Sequence, residues 1–169
     1  MRIKFVNLPS KEFFMNVGII IYSQTGNTRS VAQRLLEKIN TSGHTAKLEE
    51  ITVSGDVHPG AKKFSFISRP DVTPYDAIVF GAQVMAFSLS PVMNAYLGQV
   101  SSLQGKKVAL LVTEGLPYAW MGGTRAINRM RKLCASKGAS ICSACVVNWG
   151  NKKRPEMIAD AVDTLGAAF

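Results

Sequence analysis

The chain is short of acid. Eleven Asp and Glu stand against twenty Lys and Arg in 169 residues, giving a formal net charge of +9 and a sequence pI of about 9.7. A balance of this kind favours negatively charged partners. Histidine is scarcer still. His44 reads as a strand-edge residue and His58 as a loop residue, and neither sits in a Ser-His-Asp pattern or a metal-ligating cluster. The three cysteines are an odd count, which argues against a disulfide framework and for a reducing, cytoplasmic compartment. Cys142 and Cys145 form a C-x-x-C, but it lies in the apolar run 139–147, which reads as a buried strand. Residues three apart on a strand point to opposite faces, so both read as buried structural cysteines rather than a dithiol or a zinc clasp. No apolar run reaches the roughly 20 residues that span a bilayer, so no membrane role is expected. Residues 1–14 carry Arg2, Lys4 and Lys11 without an apolar core or a small-residue cleavage site. They read as an N-terminal extension rather than a signal peptide, ahead of one domain over 15–169.

Zinc-finger spacing, an RNA-recognition aromatic motif and a helix-turn-helix are also missing. Basic residues nevertheless cluster at Arg125, Arg129, Arg131, Lys132 and Lys137, and at Lys152, Lys153 and Arg154. They read as a solvated basic face rather than a nucleic-acid site, and an acidic protein or an anionic cosubstrate would use the same face. A homo-oligomer is compatible with the composition.

The remaining composition, 47% hydrophobic and 18% charged, suits a soluble globular domain with a large core. Strand and helix signals alternate. Strands are predicted at 17–22, 44–50, 77–81, 108–112 and 139–147, and helices at 27–41, 90–97, 122–137 and 154–165. Residues 51–74, with three prolines and two glycines, read as irregular, with at most a helical turn near 60–64. Five apolar strands separated by helices predict an α/β fold: a doubly wound, five-stranded parallel sheet in a three-layer α/β/α arrangement. Ligands of such sheets bind beyond the carboxyl ends of the strands, where strand order reverses. That rule selects three loops, at 23–28, 82–90 and 113–123.

In the first loop an apolar strand runs into Ser23-Gln24-Thr25-Gly26-Asn27-Thr28 and then into an amphipathic helix. A helix N-terminus offers free N–H groups and the positive end of the dipole to a phosphate. Ser23, Thr25 and Thr28 add hydroxyls, and Gly26 allows close approach. The loop has neither the lysine of a nucleotide-hydrolase phosphate loop nor the Gly-x-Gly-x-x-Gly of dinucleotide folds. Hydroxyls and amides without a cation suit the phosphate monoester of flavin mononucleotide (FMN). The simpler alternative is an N-capped helix, with Thr25 or Asn27 as the cap. The second loop, Ala82, Gln83, Val84, Met85, Ala86 and Phe87, is nearly uncharged. The third holds Thr113, Glu114, Gly115, Tyr118, Trp120, Gly122 and Gly123. A flat, largely apolar isoalloxazine ring needs aromatic or aliphatic faces and backbone amides at its polar edge. The alternative is that the rings cap the core. Glu114 reads as a solvated loop carboxylate.

The Ser-x-Thr-Gly-x-Thr after the first strand resembles the flavodoxin-like family, and the resemblance extends over about 17–165. It implies strand order 2-1-3-4-5, the phosphate at Ser23, Thr25, Gly26, Asn27 and Thr28, and the ring between 82–87 and 113–123. Electron carriers of that family are strongly acidic, whereas this chain is basic. The expected donor is therefore an acidic redox protein, ferredoxin- or rubredoxin-like, or NAD(P)H. The resulting expectation is an FMN-binding redox protein, working by electron transfer or by NAD(P)H-dependent reduction of a quinone-like acceptor. A flavin-free binding module using the basic face for an acidic partner is the alternative.

Overall fold

The computed structural model describes residues 13–60 and 63–169. Of the expected extension over 1–14, residues 1–12 lie outside the described residues; Phe13 and Phe14 are exposed. Five parallel strands form the main sheet: β1 (Asn16–Ile21), β2 (Thr45–Glu50), β5 (Ala77–Met85), β7 (Lys107–Glu114) and β8 (Ser140–Asn148). Their spatial order is β2-β1-β5-β7-β8, which is 2-1-3-4-5 when the parallel strands are counted along the chain. Four helices cover it: α1 (Asn27–Thr41), α2 (Pro91–Gln99), α3 (Gly123–Ser136) and α4 (Arg154–Gly166).

The central strands are apolar throughout because both faces are covered. Ile20, Ile78, Phe80 and Leu110 point to one layer, where Met93, Tyr96, Ile127 and Met130 of α2 and α3 meet them. Ile19, Val79 and Leu111 point to the other, against Val31 and Leu35 of α1 and Val162 and Leu165 of α4. Pro91 occupies the first turn of α2 and Ser90 the cap position, but the Ser90 side chain makes no capping bond.

Three expectations change. Residues 51–74 are not simply irregular: β3 (Thr52–Gly55) and β4 (Phe64–Ser68) form an antiparallel hairpin whose Val53, Phe64 and Phe66 pack on the α2/α3 layer. Ala61 and Lys62, within the expected helical turn, lie outside the described residues, and Phe64 opens a strand. The third parallel strand does not stop at Gly81. It runs to Met85 and folds back through a two-residue strand, β6 (Ser88–Leu89), paired to Val84 and Met85. Cys142 is exposed rather than buried. Val108 faces Ile141 while Ala109 faces Ser143, so Cys142 is the extra residue of a bulge on an edge strand. Its thiol donates to the Val108 carbonyl at 3.4 Å, while Cys145 is half-buried against the α1/α4 layer. Among the described residues no group of His, Cys, Asp and Glu could hold a metal, and no helix is long and apolar enough to cross a membrane.

Leu110 lies wholly buried in the centre of the sheet, and Ile67 on β4 is 71% exposed. Leu110→Ala should therefore cost about 2–5 kcal/mol in urea unfolding, and Ile67→Ala no more than about 0.5 kcal/mol. Equal losses would contradict this layering.

Candidate functional site

The loop between β1 and α1 ends on Gly26, which caps the helix with φ +92°, a conformation that strains any residue with a Cβ. Neither Thr25 nor Asn27 is the cap, and no side chain bonds the cap position. The Thr25 side chain stays exposed, and the first-turn amides of α1 keep no intrahelical acceptor. Ser23 turns inward, its Oγ accepting the Arg29 N–H at 3.2 Å. Thr28 is fully buried and shares a 2.8 Å hydrogen bond with the hydroxyl of Thr113 at the end of β7. These two hydroxyls join the start of α1 to the sheet rather than facing the open edge. A cation does stand beside the loop: the Arg29 guanidinium, held in a two-point ion pair by Glu50 at the end of β2.

The second loop is wired to the first. The Gln24 N–H donates to Gln83 Oε1 at 2.8 Å, and Gln83 Nε2 donates back to Gln24 Oε1 at 3.1 Å. Gln83 thus pins the first loop, and Ala82 is wholly buried in the α2/α3 layer. The open part of this loop is the hairpin tip. Ala86 and Phe87 have φ of 44° and 63°, the pair of left-handed residues that a two-residue hairpin turn requires. Asn and Gly usually fill such positions, so an alanine and a phenylalanine there are strained. Phe87 is 57% exposed, and Val84 and Met85 are half-buried.

The third loop meets this hairpin at Gly122, where a Cβ would lie 2.8 Å from the Phe87 Cα and 2.8 Å from a Val84 methyl. Before it, Tyr118 leads into a single 3-10 turn, Ala119–Met121, whose central residue is Trp120. Their rings are nearly parallel, at 7°, with centroids 6.3 Å apart. They are 54% and 76% exposed, and Gly115 and Leu116 are exposed beside them. Glu114 is not a solvated loop carboxylate. It ends β7 and is 3% exposed; Asn148 Nδ2 donates to its Oε1 at 2.6 Å, and the Gly123 N–H at the start of α3 also donates to the carboxylate. Oε2 has no partner among the described residues. Burial raises the carboxyl above the usual glutamate range, and the bonds from Asn148 and Gly123 oppose that shift.

A fourth segment completes the edge, one that sequence reasoning missed. Asn148 Nδ2 also donates to the Leu116 carbonyl at 3.1 Å, Trp149 N–H to the Glu114 carbonyl at 2.7 Å, and Asn151 Nδ2 to the Pro117 carbonyl at 2.9 Å. The signal was available, because these residues follow β8 at the same carboxyl edge. His44 stays apart from the site, whereas the segment holding His58 meets the first loop, the Val57 carbonyl accepting Gln24 Nε2 at 3.4 Å. His44 Nδ1 accepts the Met15 N–H at the amino end of the sheet, and His58 is in an exposed loop. A groove of about 390 Å³ lined by Asp71, Tyr96 and Lys106 also lies at the amino end, away from these loops.

No family model matches the chain, and no curated protein matches it. Solved structures do. A flavoprotein in complex with FMN from Lactobacillus acidophilus NCFM is 20% identical, over 78% of this chain and 93% of its own, with a TM-score of 0.58. Oxidised flavodoxin 1 from Bacillus cereus is 16% identical, over 90% and 95%, with a TM-score of 0.64. The flavodoxin of Streptococcus pneumonia TIGR4 is 19% identical, over 91% and 99%, with a TM-score of 0.63.

The fold is flavodoxin-like. Within this flavodoxin-like sheet the four edge segments are held by one another, and the sealed carboxyl of Glu114 gives that arrangement a pH signature. Its pKa is raised in the folded protein. Stability is therefore fully present below the ordinary glutamate value and is lost as pH rises through the raised folded value. Glu114→Gln keeps an acceptor for Asn148 and Gly123 and cannot ionise. Denaturant titrations should show the variant gaining on the wild type across that window, with the difference level on either side. A difference independent of pH would place the carboxylate in solvent.

Proposed function

We propose that the chain is an FMN-binding redox protein. The observation that carries this reading is the first loop: a helix start capped by a glycine, with the Asn27 and Thr28 amides lacking intrahelical acceptors and the Thr25 side chain exposed, beside two loops that present Phe87, Tyr118 and Trp120 to solvent. The likeness to flavodoxins, and to a flavoprotein in complex with FMN, supports it.

The residues present fit the group. The amides of Thr25, Gly26, Asn27 and Thr28 and the Thr25 hydroxyl would hold the phosphate at the positive end of α1. The Ser23 and Thr28 hydroxyls brace that loop from within. The hairpin tip and the 3-10 turn would flank the ring, with backbone N–H groups at its polar edge. When bound, the flavin supplies the electron-accepting and electron-donating chemistry. The chain's own part is to hold the phosphate, shield the faces of the ring and leave one edge accessible. Glu114 is sealed beneath and offers that edge no proton.

Electron transfer is the favoured mode, because the edge presents exposed rings and no recognisable nicotinamide motif. The other mode, NAD(P)H-dependent reduction of a quinone-like acceptor, is separated from it by adding NADPH anaerobically to the FMN-loaded protein. The carrier keeps its yellow colour, and a reductase bleaches rapidly and saturably.

Two variants test the cofactor. Thr25→Val should weaken FMN by about 1.5–3 kcal/mol, the range for a hydrogen bond to a charged group, and leave riboflavin unaffected. Equal weakening of both would contradict the phosphate assignment. Trp120→Ala should weaken FMN by about 1–3 kcal/mol and restore part of the quenched flavin fluorescence, with Tyr118→Ala as the paired change. If neither alters affinity or fluorescence, these rings do not flank the flavin.

A further inference from the structure

The parallel sheet sets the start of every helix at the carboxyl edge. A helix start favours acidic side chains and disfavours basic ones. In this chain α1, α2 and α3 have no acid in the first turn. Instead α3 carries Arg125 there, and α4 is capped by Lys153 and opens on Arg154, directly after Lys152. Helix α3 has no carboxylate along its length. Arg125, Arg129 and Lys132 fall at i, i+4 and i+7 on one exposed stripe, where like charges repel. The three ion pairs among the described residues, Arg29–Glu50, Lys38–Asp163 and Lys47–Glu49, engage none of these cations. Arg129 donates to the neutral Asn94 side chain at 2.7 Å, and Arg154 to the Trp149 carbonyl at 2.9 Å.

The α3 start is thus left without a compensating acid, while at the α4 start Glu156 offsets part of the basic cluster, and both starts flank the ring-bearing loops. Gly122, where α3 begins, abuts Phe87, and Asn151, ahead of α4, is bonded to Pro117 beside Tyr118. An exposed aromatic centre bounded by cations on two sides is the make-up of a protein interface, with aromatic residues and arginine enriched over the rest of the surface. We infer that the carboxyl edge is the docking face for an acidic, one-electron-carrying protein, an inference that rests on the redox reading above. A reduced iron–sulfur protein is the partner class that fits. With FMN bound, each encounter would pass one electron from the reduced partner to the protein, oxidising the partner's centre by one, with protons from solvent balancing the charge. Arg125, Arg129 and Lys132 steer the encounter from one side, and Lys152 and Lys153 from the other.

The test titrates the protein, with and without FMN, against an acidic plant-type [2Fe–2S] ferredoxin by calorimetry. Arg125→Glu/Arg129→Glu/Lys132→Glu is compared with Arg34→Glu/Lys47→Glu/Arg69→Glu, which makes the same charge change away from this edge. The edge variant should weaken binding at least about tenfold and the control less than about threefold, and added salt should weaken wild-type binding. The single variant Arg125→Glu should also unfold at a higher temperature than the wild type, because acid then stands in the first turn of α3; an arginine needed there for folding would give the opposite shift. Equal losses in the two variants, or binding indifferent to salt, would overturn the inference. So would tighter binding to a short DNA duplex, or to anionic lipid vesicles, than to the ferredoxin. Ferredoxin binding by a protein that takes up no FMN would leave the docking face standing and remove the flavin reading. An FMN-loaded protein with no edge-dependent binding would do the reverse.

Discussion

Parallel strands deliver the chain to one edge of the sheet, and every helix must begin there. That constraint places four helix starts, five strand ends and the connections between them along a single edge. A parallel sheet is stable only when both faces are covered, so the apolar strands that build the core also oblige the chain to spend its polar groups at this edge. The buried hydroxyl pair of Thr28 and Thr113 couples the two consequences, tying the first helix start to the end of β7 from inside the protein.

The edge segments also hold one another. Gln24 and Gln83 lock the first loop to the second, Gly122 seats the third against the second, and Asn148 and Asn151 anchor the third to the fourth. Strain at Ala86 and Phe87, of order 1–3 kcal/mol for each left-handed residue, persists because the hairpin tip is pinned between β6 pairing and Gly122. The sealed carboxyl of Glu114 belongs to the same construction: it receives the start of α3 and the Asn148 amide, and in doing so holds the ring-bearing loop.

Periodicity made the main architecture legible. Helix α1 starts and stops where its apolar spacing and flanking glycines place it, at Asn27 and Thr41, and the five parallel strands take the expected order. What escaped was set by contacts distant in sequence. The β3–β4 hairpin is two short, half-exposed strands separated by Pro59 and Gly60, and only packing on the α2/α3 layer defines it. The turn at Ala86 and Phe87 lacks the residues that usually mark its type. Cys142 is exposed because a one-residue bulge falls on it, and a bulge leaves no trace in hydrophobic alternation. Glu114 looked like a loop residue because its two donors come from α3 and from the end of β8. The candidate site was legible as three loops, but not the roles within them: Thr28, Gln83 and Thr113 bind other parts of the protein, and the Asn148-to-Asn151 segment was overlooked.

The central claim is that the start of α1 receives the phosphate of FMN. It is tested most directly by titrating the ¹⁵N-labelled protein with FMN and following backbone amides. The amides of Thr25, Gly26, Asn27 and Thr28 should move together and saturate at one equivalent, and riboflavin at the same concentration should leave them nearly in place. Unmoved amides at saturating FMN, or equal movement with riboflavin, would contradict the account.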